Sequence, residues 1–302
     1  MYDDWWKRPI NGEILKNTDL HLHTTASDGG YSPTELVNKC KQVGLQYIAI
    51  TDHDTVNGVK EATEVAAKEG ITVIPGIEFS TKENGTSVHI LGYGIDINDE
   101  PLKAMLVEQQ KLRKIRMQGM VEKFSKVNVQ LKAADVLKEA DGGSIGRPHV
   151  AKVLVKMGVV KNVAEAFDLF LGEGKPCYVQ KEREMTPTEA LKWIERAKGV
   201  AILAHPVYYD LDDKVAQWVA TGLLHGVEVY HRDHNVDVQR HYEELVQQIE
   251  REQAVTLLRT GGSDFHHEDY GRVPEPLGET RVENKLAEQL LAKIEKVRKL
   301  ES

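Results

Sequence analysis

Thr18-Asp19-Leu20-His21-Leu22-His23, the opening of the run TDLHLHTTASDGG at 18–30, decides how the chain is read. A short apolar stretch with a polar residue at every second position predicts a strand over 18–22. Side chains alternate along a strand, so His21 and His23 share one face, and imidazoles at i and i+2 can approach one cation. Outward from this strand the same arrangement recurs. A predicted strand at 47–51 runs into Thr51-Asp52-His53-Asp54, one at 71–77 into Glu78, and one at 87–93 carries His89. Further on, a strand at 199–203 ends in Ala204-His205-Pro206, and one at 254–260 runs into Gly261-Gly262-Ser263-Asp264-Phe265-His266. In parallel α/β architectures the C-terminal ends of strands are where sites form. Converging imidazoles and carboxylates are costly at low dielectric unless cations pair them.

Between the strands lie helical patterns, at 33–43 with Pro33 at its start and at 56–68 ended by Gly70. The β-α-β-α-β rhythm predicts a largely parallel sheet with crossover helices. It breaks near Asn98. From 100 to about 180 the pattern is helical and polar, with Lys111, Arg113, Lys114 and Arg116 close together. That basic run reads either as a solvated helix face or as part of a lid that draws an anionic substrate. The α/β rhythm returns at Thr186, with a further strand at 226–230 and helices at 187–197, 235–251 and 284–300. Two domains follow from this: a barrel from 1–99 and 181–302, and a helical insertion, 100–180, covering the site.

The 302 residues suffice for one large α/β domain with an insertion, and 41% hydrophobic with 28% charged is ordinary for a globular chain. The net charge of −8 argues against broad attraction to nucleic acid but not against a small phosphorylated substrate, since bound metal would neutralise part of it. No apolar run reaches the length of a membrane span, so no membrane partner is expected. Met1–Ile10 lacks the apolar core of a secretory signal, which makes the cytoplasm the expected location. Cys40 and Cys177 read as a pair of reduced thiols. The ligand types, imidazole and carboxylate without thiolate, suit Zn, Mn or Fe better than Ca or Mg alone. P-loop, dinucleotide and nucleophile-elbow motifs are all missing.

The motifs DLHLHTTASDG at 19–29, ITDHDT at 50–55, PGIEFS at 75–80, VHILGY at 88–93, AHP at 204–206, GGSDFH at 261–266 and GRPH at 146–149 together resemble the PHP (polymerase and histidinol phosphatase) family, over nearly the whole chain. The resemblance is strongest to its stand-alone bacterial phosphoesterases acting on nucleotides. It implies a distorted seven-stranded (β/α) barrel with two or three divalent ions (Mn, Fe or Zn, with Mg allowed) at the strand C-termini. The ligands it implies are His21, His23, Asp28, His53, Glu78, His89, His205, Asp264 and His266, with Glu78 bridging. Arg147 and His149 resemble the family's contacts to substrate phosphate, against the alternative that Arg147 merely opens a helix. His231 is a candidate catalytic residue facing the pocket. His225, His234, His241 and His267 read as surface residues, and Asp52 and Asp54 as partners orienting His53, or Asp54 as a helix N-cap.

The reaction implied is hydrolysis of a phosphate monoester of a nucleotide by hydroxide from metal-bound water, with a nucleoside 3′,5′-bisphosphate losing its 3′-phosphate as the first choice. A 5′→3′ exonuclease on short RNA or DNA is the alternative, and histidinol phosphate ranks lower. From other classes come a non-catalytic interaction module and an amidohydrolase. No obligate protein partner is evident.

Overall fold

The computed structural model describes residues 15–270 and 274–300; the segment that the signal-sequence expectation concerns, 1–10, lies outside them. Seven strands pair in chain order: β1 (Thr18–Leu22), β2 (Tyr47–Ile50), β3 (Thr72–Glu83), β4 (Thr86–Tyr93), β5 (Val200–Leu203), β6 (Leu224–His231) and β7 (Leu258–Gly262). The ring closes beyond β7, where a parallel bridge joins Leu22 to Phe265 and the His23 amide donates to the Phe265 carbonyl at 3.0 Å. The sheet is thus a distorted, nearly closed (β/α) barrel.

It is less parallel than the rhythm of the sequence predicts. β4 runs antiparallel to both β3 and β5, while the remaining pairs are parallel. The cause is local. Glu83 pairs with Thr86 across a two-residue turn, Asn84-Gly85, and both turn residues have positive φ, 49° and 91°. Asn-Gly is the favoured pair for such a turn, whose twist suits a hairpin. β3 therefore folds straight back as β4 with no crossover helix. Reversal also explains why His89 lies early in its strand yet faces the same end of the barrel as Glu78.

The helices α1 (Pro33–Gln42), α2 (Asn57–Glu69), α7 (Pro187–Arg196), α8 (Asp212–Ala220) and α9 (Val236–Gln253) flank the strands. Their buried faces share the largest apolar cluster with Leu22, Ile48, Ile50, Ile77, Phe79 and Val227. β7 begins at Leu258, not at Ala254, because Ala254 takes a left-handed conformation (φ 54°) that ends α9. α10 (Asn284–Leu300) packs against β1, β5 and β7. Its first residue, Asn284, accepts from the Asn17 amide, and Arg298 near its end donates to the Gly94 carbonyl. α10 therefore stoppers the barrel at the N-terminal ends of the parallel strands, with Leu20, Ile74, Tyr93 and Ile202 above it. The opposite end is left for chemistry.

α3 (Glu100–Lys126), α4 (Ala133–Ala140), α5 (Arg147–Lys156), α6 (Val163–Ala166) and a π turn at Phe167–Leu171 gather around a separate core that includes Met117, Phe124, Val150, Leu154 and Leu171. Cys40 and Cys177 are both buried and unpaired. No helix among the described residues is long and apolar enough to cross a membrane.

Candidate metal centre

Glu78 is wholly buried at the open end of the barrel, and five imidazoles converge on its carboxylate. Oε1 lies 2.7 Å from His89 Nδ1 and 3.0 Å from His205 Nε2. Oε2 lies 3.0 Å from His53 Nδ1, 3.2 Å from His23 Nε2 and 3.3 Å from His21 Nε2. A second carboxylate, Asp264, places Oδ1 3.0 Å from His23 Nε2 and 3.4 Å from His21 Nε2. Asp28 Oδ1 stands 3.3 Å from His266 Nε2, and the His266 ring stacks on His23 with centroids 4.0 Å apart. β1, β2, β3, β4, β5 and β7 each deliver members of this set, directly or from the loop that follows.

The donor atoms are left over after ordinary hydrogen bonding. His21 Nε2, His23 Nε2, His53 Nδ1, Glu78 Oε2, Asp28 Oδ1 and Asp264 Oδ1 are all buried without a hydrogen-bond partner. Buried polar atoms rarely go unpaired, and each costs about 1–3 kcal/mol when they do. Ligands sharing one ion at about 2.1 Å stand roughly 3–3.4 Å from one another in tetrahedral or octahedral order, the spacing observed. Three subsets have donors close enough to hold an ion: His23, Asp28, His53 and His266; His21, His23, Glu78 and Asp264; and His53, Glu78 and His89. Sharing of His23, His53 and Glu78 between subsets is the pattern of a multinuclear centre. The residues present suit divalent cations.

The electrostatics agree. Burial opposes ionisation of Glu78, but His53, His89 and His21 hold its carboxyl well below the usual range. Asp264, facing His21 and His266, and Asp28, facing His53 and His266, are likewise held low against burial. Burial also opposes protonation of His21, yet Glu228, Glu78 and Asp264 raise it well above an ordinary imidazole. Carboxylates that stay charged in a buried site require positive charge beside them.

A supporting layer fixes the residues of the cluster. Glu228, in the middle of β6, accepts from His21 Nδ1 at 3.0 Å and from the His205 amide at 2.8 Å. Tyr209 lies 2.9 Å from His205 Nδ1. Asp19 accepts from the Ser263 hydroxyl at 2.5 Å and from the amides of Ser263 and His21, joining β1 to β7; burial pushes its carboxyl up to about 7. Asp52 accepts from Thr24 and Ser27 and so holds the loop that carries Asp28, rather than contacting His53. Asp54 caps no helix: Val56 occupies that position, and Asp54 pairs with the buried Arg113. Glu228 and Tyr209 escape a reading of the sequence alone. The available signal is a glutamate inside the otherwise apolar Val227–Val229 segment of β6.

Above the cluster lies a cleft of about 710 Å³, lined by Asp28, His89, His205, Asp264 and His266 below and by Arg147, Lys152, Tyr208, Arg232 and Tyr270 at its sides. The Arg147 guanidinium sits between the rings of Phe167 (5.4 Å) and Tyr178 (5.7 Å). Its hydrogen bond to the Leu171 carbonyl is long, 3.4 Å. His149 differs from expectation. It is buried, its Nδ1 accepts from the Gly146 amide and its Nε2 lies 3.0 Å from the Ser27 carbonyl. With both nitrogens engaged it has none to offer a phosphate; it clamps α5 to the Asp28 loop, as Lys152 does through the Asp28 carbonyl at 2.8 Å.

His231 is buried beside the cluster, with Nε2 4.0 Å from Asp264 Oδ2. Its Nδ1 accepts from the Asp233 amide at 3.1 Å, so the neutral ring carries its proton on Nε2. Burial pushes its pKa down to about 4. His241 is exposed, but His234 is not: it is buried, 2.8 Å from the Val229 carbonyl and stacked on Tyr242. His225 and His267 are half-buried, the first accepting from the Ala201 amide and the second stacked on Tyr31. The basic run divides too, Lys111 and Lys114 being solvated while Arg113 is buried.

Comparison with known proteins agrees with this geometry. Residues 19–142 match the PHP domain. The chain is 41% identical over 207 residues to a 5′-3′ exoribonuclease of Haemophilus influenzae, spanning 68% of this chain and 73% of that protein. It is 32% identical over 265 residues to a 3′,5′-nucleoside bisphosphate phosphatase of Chromobacterium violaceum, spanning 83% of this chain and 88% of that one. A solved structure described as a metal-dependent phosphoesterase, from Bifidobacterium adolescentis, superposes with a TM-score of 0.82 at 30% identity, covering 91% of this chain and 96% of its own.

Proposed function

The chain belongs to the PHP domain family and is a metal-dependent hydrolase of phosphoesters, and from that premise we propose that it cleaves the phosphoester at the 3′ oxygen of a nucleotide, releasing the 3′-phosphate of a nucleoside 3′,5′-bisphosphate. The observation that carries the reading is the meeting of five imidazoles on the buried Glu78, with unpaired donors aimed at common points.

His21, His23, Asp28, His53, Glu78, His89, His205, Asp264 and His266 are the ligands of two or three divalent ions, with Mn, Fe or Zn preferred by the donor set. Such ions supply Lewis acidity, which makes water nucleophilic at neutral pH and offsets phosphoryl charge. The chain's own residues do the rest. Arg147, braced between two rings and with donors to spare, binds a phosphate oxygen pair, for which a guanidinium fork is suited. His231, whose Nδ1 accepts from the Asp233 amide, presents Nε2–H beside Asp264 and donates a hydrogen bond to a substrate oxygen there. His149 positions the Asp28 loop from behind. The helical segment 100–180 is the cover that brings Arg147 over the cluster.

A second reading, 5′→3′ removal of nucleotides from short RNA, is favoured by the 41% identity to an exoribonuclease. Both reactions break a bond from phosphorus to a 3′ oxygen, so one site serves either. The test is Mn-loaded protein given adenosine 3′,5′-bisphosphate and a short 5′-phosphorylated oligoribonucleotide in parallel. Inorganic phosphate and adenosine 5′-monophosphate from the first support the phosphatase; stepwise 5′-mononucleotides from the second support the exonuclease. Release of nothing from either, or attack at the 5′-phosphate alone, refutes the proposal.

A further inference from the structure

Lys111 and Lys114 are the members of the basic run on α3 that stand in solvent, and both line a second groove, of about 350 Å³. Its lining residues include two ammonium groups and no carboxylate. Lys111 pairs with Glu108 at 2.6 Å, but both side chains are more than half exposed, and an exposed pair of this kind holds its lysine only weakly. Val107 and Leu137 of the same groove are exposed too, so apolar surface stands beside the charge. The groove adjoins the cleft: Ser144 and Ile145 line the groove, while Arg147 and Pro148, next along the chain, line the cleft. The Ser144 amide donates to the Ala26 carbonyl at 2.8 Å, and Gln110 Nε2 donates to the Asp54 carbonyl and the Ser144 hydroxyl, each at 3.0 Å. The groove therefore lies against the two loops that bring Asp28 and His53 to the cluster.

Charge is divided in the same sense. Residues 100–180 hold 14 Lys and Arg against 9 Asp and Glu, a net of +5, whereas the remainder of the chain holds 25 against 38, a net of −13. The overall −8 conceals this contrast. A polyanion leaving the cleft is repelled by the barrel and drawn to the helical segment. Resting on the oligonucleotide reading, we propose that the groove at Lys111 and Lys114 carries the RNA strand beyond its terminal nucleotide, with the two lysines on phosphates and Val107 and Leu137 against sugar or base. Phosphate contacts hold a strand in place without reading its sequence, so the groove accepts any sequence. It does nothing for a mononucleotide, whose phosphates end in the cleft.

The test uses the Mn-loaded wild type, Lys111→Ala with Lys114→Ala, and Lys111→Arg with Lys114→Arg. Each is titrated into a 5′-phosphorylated, 3′-fluorescein oligoribonucleotide of about eight nucleotides, its linkages phosphorothioate to slow cleavage, and anisotropy is read over a range of salt. Calorimetric binding of adenosine 3′,5′-bisphosphate is the comparison. The alanine pair should bind the oligomer about tenfold more weakly and flatten the slope of log affinity against log salt by about 1.4, the share of two single-strand phosphates. The arginine pair should keep both affinity and slope. An equal loss for the bisphosphate overturns the inference, as does an alanine pair with wild-type affinity and slope, or a wild type that binds no oligomer. The reading beneath it fails separately. If the oligomer binds as expected but unmodified RNA yields no 5′-mononucleotides, the exonuclease is removed and the groove stands. If wild type and alanine pair release mononucleotides from limiting RNA at equal rates, the exonuclease stands and the groove is removed.

Discussion

Glu228 shows how much of the site depends on a residue that touches no proposed substrate. Its carboxylate accepts from His21 Nδ1 and from the His205 amide, so it fixes the ring orientation of His21 and turns the Nε2 lone pair toward Glu78 and Asp264. Burial opposes its ionisation, yet His21 foremost, with His231 and His205, holds its carboxyl down at about 2. A buried anion behind an imidazole raises the basicity of the nitrogen facing the metal. Glu228→Gln keeps the volume and one acceptor but removes the charge. We expect metal affinity to fall about 10- to 100-fold, read by competition with a chelator, with activity recovering at high Mn. Unaltered affinity would show that Glu228 only fills space. The residues of the cluster, by contrast, are legible because each belongs to a short motif in a strand or in the loop after one. Glu228 meets His21 across 207 positions, and nothing in the local sequence of either records that pairing.

Strand ends supply the imidazoles and carboxylates of the cluster, but the seams between strands decide whether they meet. β1 and β7 close the barrel through loop residues and Asp19, and they approach so closely that a Cβ added at Gly262 would lie 2.5 Å from both the Cβ and the amide of His21. No L side chain fits there without moving His21 or parting the seam. Gly262→Ala should therefore lower stability by about 1–3 kcal/mol and weaken metal binding as well. Urea denaturation and metal content measure the two effects, and a variant with both unchanged refutes the close approach. Seams are also where reading the sequence fell short. Helices and strands could be placed to within a few residues, since their apolar periodicity and their Ser, Thr, Pro and Gly boundary signals are local. The direction of β4 was missed although Asn84-Gly85 signalled it, because a rhythm of alternating elements suggests crossovers wherever two strands follow one another. The two-residue turn leaves no room for one.

On the scale of the whole molecule, the barrel and the helical segment meet through polar groups that converge on the loops bearing residues of the cluster. Arg113 donates to Asp54 from Nε at 2.9 Å and from Nη2 at 2.5 Å, to Ser80 at 2.9 Å, and to the Ile145 carbonyl at 3.0 Å. His149, Lys152 and the Ser144 amide bond the carbonyls of Ser27, Asp28 and Ala26. These contacts show what the sequence leaves open in the helical segment. Sequence shows a basic run and an Arg-Pro-His step, but not which of those groups faces the cleft and which faces the barrel; of them Arg147 borders the cleft, while Arg113 and His149 are spent on docking. Burial works against Asp54 ionising, but Arg113 and then Lys181 keep its carboxyl below the usual range. A buried pair of this kind contributes little relative to an apolar pair, yet breaking it strands a charge. Arg113→Leu should thus cost about 3 kcal/mol or more, while Arg113→Leu with Asp54→Leu should regain part of the loss, an ordering that a simple packing contact would not give. Because the same junction holds the Asp28 loop, Arg113→Leu should also bind less metal at the subset formed by His23, Asp28, His53 and His266, leaving the Glu78 subsets filled. Metal stoichiometry on the single variant tests this. If it retains the wild-type complement, the helical segment is a cover resting on a finished centre; if it loses one ion, the segment completes the centre.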